Sequence, residues 1–68
     1  MAKKQLSNYS AWNGSKLRSL RELLGFTQVK FAGELGISHR MYCYYETGER
    51  QIPKSVELAA RWLGLLKA

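Results

Sequence analysis

An all-α domain, a compact set of four helices with room for one further short turn, is what this 68-residue sequence predicts. Apolar residues recur at spacings of three and four in successive stretches: Leu17, Leu20 and Leu24; Phe31 and Leu35; Tyr42 and Tyr45; then Val56, Ala59, Ala60 and Leu63. Punctuation agrees with that periodicity. Asn13, Thr27 and Ser38 stand where a side-chain oxygen can accept an orphan helix N–H, and Gly25 and Gly36 follow the stretches as helix stops.

Size and charge narrow the possibilities. A chain this short is a single domain that buries roughly 60% of its unfolded surface, so pairing with a second copy would add stability. A formal charge of +6 and a pI near 9.8 call for a polyanionic partner, with nucleic acid ahead of a membrane surface. One Cys closes no internal disulfide, and no cluster of metal-ligating residues is present, so no metal and no cofactor is expected. No apolar run approaches the ~18 residues of a membrane span, and no small-molecule site is evident. A protein of the reducing cytoplasm is the expectation. Enzymatic chemistry is poorly supplied: one His, no Asp, five scattered Glu, no Gly-rich phosphate loop and no HExxH spacing.

Residues 1–12 read as an N-terminal arm and 13–68 as the domain. The arm carries Lys3 and Lys4, then Leu6 and Tyr9 without periodicity. It is either a free tail or a basic arm touching phosphates, with Tyr9 or Trp12 available to cover an edge of the core. Asn13 then caps the first helix, and Trp12 and Leu17 bracket that cap as a hydrophobic staple. Lys16, Arg18, Ser19 and Glu22 face water, Leu23 lies at the margin of the stripe, and Phe26 plugs the corner after Gly25.

The stretch from Thr27 to Gly48 predicts two short helices around a turn. On the first, Phe31 and Leu35 share a face beside small Ala32, and Gly36 supplies the positive φ of the turn. On the second, Ser38, Tyr42 and Tyr45 share one side, while His39, Arg40, Cys43 and Tyr44 fall on the other. Beyond a polar loop, Glu49-Arg50-Gln51, Pro53 opens a last helix reaching about Leu63 or slightly beyond. Its core face leaves Leu58, Trp62 and Leu65 as a separate apolar line. Such a contiguous patch marks an interface, here that of a twofold homodimer, with the arm folding over the same line as the competing possibility.

This ordered set resembles the helix-turn-helix of the Cro/C1 (lambda-repressor-like, Xre-type) family of small phage and bacterial regulators. The resemblance covers about residues 15–63. Its points are Gln28 opening the first helix, Ala32, the Leu35-Gly36-Ile37 turn, inward Tyr42 and Tyr45, and the Glu46-Thr47-Gly48 exit. It implies a lambda-repressor-like fold in which the helix after the turn enters the DNA major groove. It also implies an ion pair between Arg21, seven residues before that Gln, and Glu46. Gln28 would buttress the recognition residues. The family continues into a further helix, whereas here Gly64-Leu65-Leu66-Lys67 leads to Ala68.

The site residues follow. Arg40 can offer two parallel donors to guanine, and His39 one donor to guanine or phosphate. Ser38 lies beside them, Cys43 is small enough to meet a thymine methyl, and Tyr44 can reach a base edge or phosphate. Cys43 would be an exposed thiol in the free protein. Gln28, Lys30, Arg50 and Lys54 are the phosphate candidates; Lys54 is a cation at a helix start, where an external anion would offset its clash with the macrodipole. The function expected is a double-stranded DNA-binding regulator, most simply an autorepressor on an inverted-repeat operator. The alternative is an antitoxin-like module whose main partner is a protein.

Overall fold

The computed structural model describes residues 8–67. Four helices follow in order: α1 (Gly14–Leu24), α2 (Gln28–Leu35), α3 (His39–Thr47) and α4 (Lys54–Lys67). The first three begin at side-chain caps. Asn13 Oδ1 accepts from the Lys16 N–H at 2.9 Å, Thr27 Oγ1 from Lys30 at 3.1 Å and Ser38 Oγ from Met41 at 3.0 Å. A cap of this kind contributes about 1 kcal/mol. Each of these helices stops at a glycine in the left-handed region, and the α2–α3 corner requires it most. Gly36 sits at φ 77°, its N–H closing on the α2 carbonyls while the chain reverses into Ile37.

Leu17, Phe31, Ala32, Tyr42, Tyr45, Ile52, Val56, Ala60 and Leu63 form the core, with Trp12, Leu20, Leu24, Phe26, Leu35, Ile37 and Met41 packed around it. Phe31 is its hub: stacked on Phe26 at 5.4 Å between ring centres and met edge-on by Tyr42 at 5.7 Å. Gly14 admits α1 to this arrangement. A Cβ there would lie 2.1 Å from the Glu46 carbonyl oxygen, so the start of α1 can press against the end of α3 only without a side chain.

Residues 1–7 of the arm lie outside the described residues. The remainder is tied down: Ser10 N–H donates to the Ile52 carbonyl and Lys54 N–H to the Asn8 carbonyl, both at 2.7 Å, flanking a single antiparallel bridge between Tyr9 and Pro53. Trp12 is half-buried against the core, with the Lys16 ammonium over its ring. Glu57 on α4 completes the attachment. It is buried, pairs with Arg61 at 2.9 Å and shares a hydrogen bond with Ser10.

The last helix departs from the sequence expectation at its start. Pro53 precedes α4, its carbonyl accepting from the Val56 and Glu57 N–H groups, so it stands at the cap and Lys54 is the first helical residue. At the other end α4 passes through Gly64 to Lys67, which lays its ammonium over the Phe26 ring. A mid-helix glycine costs only about 1 kcal/mol, too little to stop the helix.

Candidate nucleic-acid interface

Charge is concentrated, and fully partnered, where α1, α2 and α3 meet. Arg21 Nε donates to Glu46 Oε2 at 2.7 Å, and its Nη1 donates to the Phe26 carbonyl at 3.0 Å. The Tyr42 hydroxyl donates to the same Glu46 oxygen, and Gln28 Nε2 donates to Oε1 at 2.9 Å. A carboxylate accepting from three side chains fixes the helices that carry them, since each bond restricts both direction and distance. Burial by itself would push the Glu46 carboxyl up; the donors from Arg21, Tyr42 and Gln28 outweigh it and hold the group below the ordinary carboxylate range. Bonding to Glu46 raises the Arg21 guanidinium above its usual value. Burial, then the neighbouring carboxylate, raises the Tyr42 phenol. At neutral pH the cluster is Arg⁺, Glu⁻ and a neutral phenol.

This cluster sets the pose of α3. Tyr42 and Tyr45 are buried beneath it, and the opposite face is turned out. His39 and Arg40 in its first turn are exposed, and Arg40 meets no hydrogen-bonding partner among the described residues. Ser38 caps the helix, so its oxygen already accepts from Met41. Cys43 is half-buried, not openly exposed: its Sγ lies 3.4 Å from His39 Nε2 and 3.7 Å from Gln28 Oε1. Helical spacing places Cys43 beside His39, but only the fold brings Gln28 to Cys43. Tyr44 is half-buried because Arg50 crosses its ring, guanidinium 5.3 Å from the centre, while Arg50 N–H donates to the Tyr44 carbonyl. Two helices, one capped corner and an outward first turn make the arrangement that inserts a recognition helix in a major groove.

The profile of a family described as "Helix-turn-helix domain" matches residues 14–67. The chain belongs to that family. It is a helix-turn-helix protein of the Cro/C1, Xre-like kind, and its four described helices have the architecture the resemblance implies. No curated protein matches it.

Around the helix-turn-helix the remaining candidates are dispersed. Lys30 is exposed on α2, two residues after Gln28, whose amide nitrogen is engaged inward by Glu46. Lys54 is exposed at the start of α4, and the carboxylate of Glu57 in the same turn adds to its surroundings. Leu58, Trp62 and Leu65 are 55%, 60% and 74% exposed, and Leu66 joins them. Asn8–Trp12 do not cover this line. Leu65 also borders a groove of about 460 Å³ between α1 and α4, shared with Trp12, Leu20, Leu23 and Gly64. No helix among the described residues is long and apolar enough to cross a membrane.

Three structural roles escaped the sequence reading. Tyr42 was legible as core, but its hydroxyl has a polar task; the signal was Glu46 four residues on, since a buried Tyr O–H needs an acceptor. Glu57 stood on the helix without visible purpose, because Ser10 is remote in sequence. Gly14 had no signal, since neither its φ nor a turn requires glycine there.

Proposed function

We propose that the protein is a sequence-specific double-stranded DNA-binding regulator that acts as a repressor, α3 lying in the major groove of an inverted-repeat operator. The observation that carries this reading is the pose of α3. A buried, fully hydrogen-bonded cluster holds the helix, and His39 and Arg40 project from its first turn on a chain of charge +6. In this reading Arg40 and His39 read bases, with Ser38, Cys43 and Tyr44 beside them. Gln28, Lys30, Arg50 and Lys54 hold phosphates. The Tyr44 ring fixes Arg50 in advance, which lowers the entropy lost on binding.

A helix-turn-helix domain represses most simply by occupying a promoter-overlapping site. Two copies paired through Leu58, Trp62 and Leu65 would present two recognition helices about one DNA turn apart, ~34 Å. The same exposed apolar line is what an antitoxin-like module would use on a partner protein; the outward His39 and Arg40 favour DNA as the main target.

Selection from a random DNA pool, followed by titration with Arg40→Ala and Arg50→Ala, tests the reading. Arg40→Ala is expected to cost ~1–3 kcal/mol on the selected site and relax one base pair, whereas Arg50→Ala weakens selected and random DNA alike and flattens the salt dependence. Equal losses on both DNAs for Arg40→Ala would remove Arg40 from base reading, and a pool with no enriched sequence would remove the function.

A further inference from the structure

The polar cluster does not end at Gln28. Glu46 at neutral pH can only accept hydrogen bonds, so Gln28 must turn its amide nitrogen toward it, as the 2.9 Å contact shows. That leaves Gln28 Oε1, an acceptor, facing Cys43, and the thiol proton is the donor that fits at 3.7 Å. With its proton so directed, the Cys43 sulfur offers lone pairs to His39 Nε2 at 3.4 Å, and that nitrogen must carry the ring's proton. Direction is therefore dictated from the carboxylate outward: His39 to Cys43, Cys43 to Gln28, Gln28 to Glu46. The chain of contacts crosses from α3 to α2 and back, linking an exposed side chain to a buried one.

We propose that Gln28 and Cys43 are positioning residues that hold the neutral His39 ring with its proton on Nε2, committing Nδ1 to DNA as an acceptor. This rests on the DNA-binding reading and specifies it. An acceptor pairs with the exocyclic amino groups of cytosine or adenine in the major groove, whereas a free N–H pairs with O6 of guanine, O4 of thymine or N7 of either purine. An untethered ring can offer either nitrogen; the relay removes that choice. A thiol is a weak donor, so the effect is one of selection more than of affinity.

Base preference is measured at pH 8, above the ordinary histidine range, for the wild type, His39→Ala, Cys43→Ala, Cys43→Ser and Gln28→Leu. His39→Ala is expected to abolish the preference at one base pair, the pair that the ring reads. Cys43→Ala and Gln28→Leu should reduce the preference at that same pair by about twofold to tenfold, the range of one net hydrogen bond. Cys43→Ser, which keeps a donor and an acceptor, should restore it. A preference at that pair unchanged in Cys43→Ala overturns the proposal while leaving DNA binding standing. No sequence preference in any protein overturns the DNA-binding reading itself.

A second readout needs no DNA. His39 is the one histidine of the chain, so its imidazole nitrogen resonances are assigned without ambiguity. The free wild type should show a single tautomer protonated on Nε2, and Cys43→Ala a mixture, with the two nitrogen shifts drawn together. The same mixture in both would show that no relay constrains the ring.

Discussion

Two regions of the molecule reverse the usual placement of charge and oil. Where α1, α2 and α3 meet, an arginine and a glutamate are withdrawn from water, their side chains 13% and 6% exposed. On the outer face of α4 a tryptophan and three leucines are left in it. The first region is complete within one chain: each polar group of the cluster has a partner, and among the described residues no buried side-chain nitrogen or oxygen lacks one. The second has no partner within Asn8–Lys67. Buried charge costs little when every bond is made, and it gives direction that apolar packing cannot. Exposed apolar surface gains its free energy only when something covers it. The polar cluster is thus expected to govern the fold and the pose of α3, and the apolar line to govern what the fold meets.

Breaking the cluster should have the largest effect. Glu46→Ala strands the Arg21 guanidinium, the Tyr42 hydroxyl and the Gln28 amide at once, and losing one partner of a buried pair costs about 3–5 kcal/mol. A domain near this size has on the order of 0.1 kcal/mol per residue in total, so the variant should lose about half of its stability and unfold at a much lower urea concentration. Circular dichroism and urea titration measure this. A loss below about 1 kcal/mol would show the cluster to be incidental. In a cycle with Arg21→Ala the losses should be strongly non-additive.

Gly14→Ala should come next, at about 1–3 kcal/mol, because its methyl would overlap the Glu46 carbonyl and push α1 off α3. Unfolding midpoints decide it, and an unchanged midpoint would mean that the helix ends separate freely. This position shows where reading the chain stops. The caps at Asn13, Thr27 and Ser38, the Gly36 corner and the inward Tyr42 and Tyr45 are local patterns, visible because helix periodicity and cap chemistry act within a few residues. Arg21 and Glu46 were legible as a pair only through the family resemblance. What depends on tertiary approach was hidden: the missing side chain at Gly14, the Ser10 contact of Glu57 and the bend of Gln28 over Cys43.

The two glutamates sharpen the comparison through pH. Hydrogen bonding to Ser10, then to Arg61, holds Glu57 below the ordinary carboxylate range, and Glu46 is lowered too. Groups lowered in the folded state contribute stability that is fully present above their unfolded value, about 4.3, and is lost as pH falls through the lower folded values. The melting temperature should therefore stay level from pH 7 to about 5 and fall steadily below about 4.5. Glu46→Gln should start lower and fall less steeply, its share of the proton uptake being gone. A wild-type profile still level at pH 3 would contradict the assigned lowering.

The smallest effect on stability, and the most informative about the outer face, should come from Trp62→Ala and Leu58→Lys. Both side chains are more than half exposed, and substitutions at such positions usually change the stability of the folded monomer by no more than about 0.5 kcal/mol. Their effect should instead appear in association. If a second copy covers the line, the wild type sediments as a dimer at micromolar concentration, and either substitution moves it to monomer with little change in the melting curve of a dilute sample. Binding to a full inverted repeat should then fall toward that of a half-site, because the second recognition helix is no longer tethered. Trp62 should matter more than Leu58, since a large aromatic is the commonest anchor of a protein interface. A wild type that sediments as a monomer and binds half-site and full site equally well would exclude the second copy. A substantial loss of monomer stability in Trp62→Ala would show instead that Trp62 supports the fold of a single chain.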